Sequence, residues 1–142
     1  MAKDKWRIKE AVKIAEEAGL KALRTGAEAI LTEAIDETPV DTGTLRRSGT
    51  VTVGKLPDWA QVYAAAEAGN EMKDAFPDPV GKEKAVYISF NTPYARRMHE
   101  DLGYTPKRGG GPKYLESPFN RNKNKVLKYA DKQIRKALKD AP

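Results

Sequence analysis

The sequence predicts an α+β fold in which long N-terminal and C-terminal helices pack on a small antiparallel β-sheet. Three observations carry that expectation. Trp6 to Glu37 sets apolar residues at helical spacing, Ser117 to about Lys139 does the same, and between them Ser48 to Lys55 and Val86 to Phe90 alternate with the period of a strand. The 142 residues suit a single domain over 1–142, long enough to bury roughly two thirds of the surface its unfolded chain exposes.

In the first helix Ile8, Val12 and Ala15 continue through Gly19 to Leu23, Ile30 and Ala34, with Lys, Glu and Arg on the other side. Gly19 and Gly26 each weaken a helix by about 1 kcal/mol relative to alanine, so a bend or break is expected near them. Burial of Ile8, Val12, Leu23, Ile30 and Leu31, at roughly 1.5 to 3 kcal/mol each, outweighs that cost. Thr38-Pro39 ends the helix, because the residue before a proline is pushed out of helical geometry. In Pro39 to Ser48, Asp41 or Thr42 can cap a one-turn helix through Gly43 to Arg46, with Leu45 inward and Arg46-Arg47 outward.

Val51 and Val53 alternate with Thr50 and Thr52, giving a strand expected to pair antiparallel with Val86 to Phe90. The connection, about 56–84, is long for a hairpin and is expected to be a mobile insertion or to carry structure of its own. Within it, Trp59 to Ala68 reads as a helix or, through Ala60 to Tyr63, as a further strand. Phe76-Pro77-Asp78-Pro79 and Gly81 mark a loop. After Asn91, Thr92 and Pro93 are placed as cap and first residue of a short helix with Tyr94, Met98 and Leu102 on one side, closed by a left-handed Gly103. Ser117 and Pro118 repeat that pairing before the last helix, whose expected apolar stripe is Phe119, Val126, Leu127, Ala130, Ile134 and Leu138.

Composition narrows the chemistry. There is no cysteine, hence no disulfide framework and no cysteine-zinc site. The only histidine, His99, precedes Glu100 and Asp101, but a zinc-protease pattern wants a second histidine at 103, which is glycine. Three glycines lie between Lys107 and Lys113, yet a phosphate-cradling loop would follow a strand and end in Gly-Lys-Ser or Gly-Lys-Thr, so a flexible turn is expected. No catalytic residue, metal or cofactor is expected. No apolar run approaches the roughly 18 residues that span a bilayer, and MAKDKWRIKE lacks the apolar core of a signal peptide, so the expectation is a protein made and kept in solution without a membrane partner.

Charge is uneven along the chain. Residues 104–142 hold 11 of the 26 Lys and Arg against three acids, whereas the first 103 residues hold 15 bases and 17 acids. Such polarity suits nucleic acid, an acidic protein surface, or head-to-tail contact between copies. The nucleic-acid alternative rests on the basic last helix with Lys107, Arg108 and Lys113, among which Tyr104 and Tyr114 are interleaved to stack bases.

Three segments in order, PVDTGTLRRS at Pro39 to Ser48, PYARRMHEDLGY from Pro93 and GGGPKYLESPF to Phe119, resemble a tailed-phage minor capsid family, similar to the tail-completion or head-tail joining proteins of long-tailed bacteriophages. The resemblance covers most of Ile30 to Leu138. It implies a structural virion protein at the head-tail junction, assembled in the bacterial host cytoplasm, and not an enzyme. Its implied partners are further copies in a ring, expected to be hexameric, neighbouring neck proteins such as a head adaptor or connector and a tail terminator or tail tube, and DNA passing through the channel. Carried onto this sequence, the signature positions include Asp41, Thr42, Gly43 and Arg46, then His99 and Glu100, then Lys113 and Tyr114. With Arg96 and Arg97 these are the candidate subunit-interface residues, the arginines being the best placed to meet a carboxylate of a neighbouring copy.

Overall fold

A computed structural model of the chain describes residues 2–72, 83–103 and 109–141, with the side chains of 2–6 excepted. The proline loop at Phe76 to Pro79 with Gly81, and Tyr104, Lys107 and Arg108, lie outside the described residues. In chain order the elements are α1 (Ala2–Glu37), α2 (Thr44–Arg47), β1 (Gly49–Val53), α3 (Trp59–Glu67), β2 (Val86–Phe90), α4 (Ala95–Glu100) and α5 (Glu116–Asp140). Long terminal helices with a two-stranded antiparallel sheet are the predicted architecture; α1 packs on the sheet, and α5 packs chiefly on α1. The strands pair from Gly49 opposite Phe90 to Val53 opposite Val86. The Trp59 alternatives resolve in favour of helix, with Asp58 accepting from the amides of Ala60 and Gln61 as its cap.

Two faces of α1 do different work. Ala27 and Leu31, with Ile35, pack on Val51, Val86, Ile88 and Phe90 of the sheet. The other face meets α5, which runs back along it. Gly19 and Gly26 do not break α1; they let α5 approach. A Cβ on Gly26 would lie 2.5 Å from Cγ1 of Val126, and one on Gly19 would lie 3.3 Å from Cδ1 of Ile134. Ala22, Ile30, Ala34 and Ala130 are buried with them. At the far end Arg121 pairs with Glu37, and Asn122 donates to Glu33.

The close approach changes which side chains of α5 are buried. Its seam is Pro118, Asn122, Val126, Ala130 and Ile134 at steps of four, all buried or half-buried. Phe119, Leu127 and Leu138, expected in the stripe, are exposed, Leu127 by 60%. Backbones this near leave room for small and middle-sized side chains, so the larger ones sit on the flanks. Ile8 and Val12 are likewise exposed, 64% and 52%, not buried. The sheet packs on the second half of α1, while the end of α5 lies beside Arg7, Ala11 and Ile14.

Both cap-then-proline readings are corrected. The helix α4 starts at Ala95, whose amide donates to the carbonyl of Thr92 and not to its hydroxyl, and Leu102 lies beyond the helix. Gly103 is not left-handed; its amide donates to Oδ1 of Asp101, which closes α4. Ser117 and Pro118 lie inside the first turn of α5, which begins at Glu116 with Leu115 before it.

The glycine seam sets opposite expectations for one substitution at two sites. Gly26→Ala forces a methyl into Val126 and is expected to cost about 1 to 3 kcal/mol despite the better helix propensity of alanine. Gly19→Ala meets only the flexible tip of Ile134 and is expected to be neutral or stabilising by up to about 1 kcal/mol. Urea denaturation measures both, and adding Val126→Ala to Gly26→Ala should recover part of the loss. A stabilised Gly26→Ala would mean that the helices do not cross this closely.

Candidate assembly interface

A helix leaves its last four carbonyls without intrahelical partners. α1 has no basic residue in its last turn, so they must be met from elsewhere. Thr38, fully buried, answers two of them: its hydroxyl donates to Ala34 O at 2.6 Å and its amide to Ile35 O at 3.2 Å. Arg46 donates from Nη2 to Asp36 O at 3.0 Å, and the Gly111 amide donates to Glu37 O at 3.0 Å. Arg46 Nε also reaches Thr38 O at 3.0 Å. A cation at this end further complements the helix dipole.

The glycine run is therefore docked, in place of the expected flexible turn. Gly110 has φ +78, and a Cβ there would lie 2.3 Å from Thr38 O. No other residue fits that approach without displacing the backbone. Val40 N–H donates to Gly109 O, closing the contact from the other side.

Thr42 and Gly43 aim α2, and Asp41 stands exposed just before them. Gly43 takes the left-handed conformation, φ +85, as its N-cap, and the Thr42 hydroxyl accepts from the Thr44 amide at 3.4 Å. Leu45 is buried as expected. The two arginines, expected outward, turn back to helix ends. Arg47 Nε donates to Ala66 O at 2.8 Å, near the C-terminus of α3, as Arg46 does for α1. Carbonyls at those ends attract cations more strongly than solvent-facing positions do.

The later motif residues form one network. Tyr114 is buried with Leu45 and Ala95, donates its hydroxyl to Ala95 O at 2.7 Å, and meets the rings of Phe90 and His99 edge-on, each at 5.0 Å. His99 Nε2 accepts the Glu116 amide at 3.2 Å, which caps α5 from outside its own helix. In the neutral ring the proton then belongs on Nδ1, which donates to Glu100 Oε1 at 3.0 Å. Lys113 pairs with Glu100 and lies 3.5 Å from Glu116, and its amide donates to His99 O at 2.7 Å. Its φ of 55 is a conformation that non-glycine residues seldom adopt, held here by those contacts. The Lys113 and His99 hydrogen bonds hold the Glu100 carboxyl below its ordinary pKa, and the Glu100 bond raises that of Lys113.

Leu45 touches both groups, so the Asp41–Arg46 and His99–Tyr114 sets are neighbours in one body. Arg96 borders a shallow hollow with His99 and Tyr114, and Arg96 and Arg97 are both exposed on α4, where neither forms an ion pair with a described residue. Ser48 and Asn91 also join the motif segments. The Asn91 amide donates to the Ser48 hydroxyl at 3.0 Å and its side-chain amide to Ser48 O at 2.8 Å. Among the described residues no group of three acidic or histidine side chains could hold a metal ion, and no helix is long and apolar enough to cross a membrane.

Arg46→Ala strips hydrogen bonds from two carbonyls and should lower stability by about 1.5 to 3 kcal/mol, while exposed Arg97→Ala should change it by less than about 0.5 kcal/mol; equal losses in thermal melts would contradict the capping role. The stability Glu100 adds is present above the ordinary carboxylate pKa of about 4.3 and is lost as pH falls through its lower folded value. Below about pH 4.3 the melting temperature of the wild type should therefore fall more steeply than that of Glu100→Gln, by a small margin because the pair is exposed.

Comparison with known proteins adds one finding. The family model described as "Bacteriophage HK97-gp10, putative tail-component" matches residues 5–96, well over half of the chain, from α1 into α4. No curated protein and no solved structure matches the chain.

Proposed function

This chain belongs to the HK97-gp10-like family of bacteriophage tail components, and on that footing we propose that it forms a ring of copies at the head-tail junction, completing the tail and joining it to the head. Membership makes it a structural protein of the virion that meets other virion proteins. The ring, hexameric in this reading, adds contact with a head adaptor or connector on one side, with a tail terminator or tail tube on the other, and assembly in the host cytoplasm.

The observation that carries the ring is the segregation of charge on a body whose motif residues are already engaged. The exposed surface of α5 bears Lys123, Lys125, Lys128, Lys132, Lys136 and Lys139, while the first 103 residues are slightly acidic. Unlike faces on one molecule associate head to tail, and a head-to-tail contact closes into a ring when its rotation permits. Residues 1–142 act in this reading as one tail-completion domain, supported by the packing of α1 against α5 from opposite ends of the chain.

Of the candidate interface residues, Arg96 and Arg97 are the ones available to a neighbour's carboxylate. Asp41, Thr42, Gly43, Arg46, His99, Glu100, Lys113 and Tyr114 serve assembly by shaping the surface. A second reading, DNA contact through the lysines of α5, is favoured by their exposure on one helix.

Imaging purified particles that carry a tagged copy tests the proposal: density for the tag around the head-tail junction is expected, and particles lacking the chain would contradict it. Arg96→Glu with Arg97→Glu should leave the melting temperature within about 2 °C of wild type yet reduce incorporation into particles. Unchanged incorporation would remove these arginines from the contact.

A further inference from the structure

We propose that each copy docks on the next by laying the aromatic, acidic face of α3 against the apolar, basic outer face of α5 of its neighbour. The inference rests on the ring reading only in taking the occupant to be a second copy of this chain.

α3 has more apolar surface than its own fold uses. Val62 and Ala66 bury one side against the body. On the other, Trp59 is 55% exposed and stacks on Tyr63 with ring centroids 6.3 Å apart. Trp59, Tyr63 and Glu67 fall at i, i+4 and i+8, one row along the helix. Burial first, and then the Glu67 carboxylate, raises the pKa of the Tyr63 hydroxyl, so this carboxylate lies beside the ring. Leu56, 59% exposed, precedes the row, and Asp58, Glu67 and Glu71 set its sign.

The outer face of α5 is its counterpart. Phe119, Lys123 and Leu127 fall on another i, i+4, i+8 row, with Leu127 60% exposed and Phe119 47%. Lys123 and Lys128 flank the apolar pair, and Asp131, the next residue of the row, is paired with Arg135. Two such rows interdigitate as ridges into grooves, with lysine ammonium groups over aromatic faces or beside Glu67. Within one chain α3 packs on α2 while α5 packs on α1, and Tyr94 stands near Tyr63 and Glu67 at one end of the α3 row; the exposed Leu56 and Trp59 on that side, and Phe119 and Leu127 on α5, are left for a neighbour. Because the faces are unlike, their pairing is heterologous and repeats from copy to copy.

The absence of cysteine makes the test direct. Ala64→Cys on α3 and Asn124→Cys on α5 are both at exposed positions. Treated with a short bis-maleimide, the doubly substituted chain is expected to give a ladder of covalent multimers, an equal mixture of the two single variants to stop at dimers, and either single variant alone to give none. Glu67→Lys should weaken self-association on the order of tenfold in sedimentation equilibrium, as should Lys123→Glu, and the two combined in one chain should restore it. Crosslinking of a single variant with itself would overturn the proposal in favour of a symmetric contact. No ladder while the unmodified chain sediments as oligomers would overturn this surface and leave the ring standing. A chain monomeric at every concentration, with no ladder, would overturn both.

Discussion

The fold depends on how one helix end is closed. α1 stops with four carbonyls unpaired and no base of its own to answer them, and their partners come from Thr38, from α2 and from the glycine run before α5. Leaving a buried polar group unpaired costs about 1 to 3 kcal/mol, so these contacts decide whether the sheet, α2 and the start of α5 meet in one place. Segments distant in sequence are brought together by that accounting. Arg47 repeats the device at α3, so adjacent arginines on a single turn of helix fasten two other helices.

The second constraint is the glycine seam between α1 and α5. Gly26 brings Val126 against the backbone of α1, which leaves the broad side chains of both helices on the flanks. The same packing that makes a close antiparallel pair therefore presents Leu127 and Phe119 among lysines on the surface. Tertiary packing and surface character share one cause. Exposed apolar residues grouped on one face are the kind of surface that marks a contact site in general, and a tail component meets other virion proteins.

Much of the architecture was legible because periodicity is a local signal. The strand at Val86–Phe90 has the bounds that its alternation predicted, although all five of its residues are half-buried, and the long helix ended where Thr38-Pro39 requires. The caps were less legible. Ser117 before Pro118 looks like a helix start, but the His99 ring accepts the Glu116 amide and Lys113 takes a left-handed turn, so α5 begins earlier. Nothing near position 117 in sequence records that partner. Arg46-Arg47 reads as a charged surface pair for the same reason: the carbonyls it serves are ten and nineteen residues away. Asn91 carries no such mark in its neighbours either; its place just past Phe90, opposite Ser48, gains meaning only once the strands pair and it closes the sheet.

In the proposed reading the motif residues hold the body so that its outer faces can make the contacts, and the first half of that division is testable in the isolated chain. Amide hydrogen exchange on Arg46→Ala reads it most directly. Faster exchange at Val40, Gly111 and Lys113 together is expected, because one junction orders all three. Protection unchanged at Gly111 and Lys113 would contradict it, and would mean that the end of α1 does not organise the motifs around it.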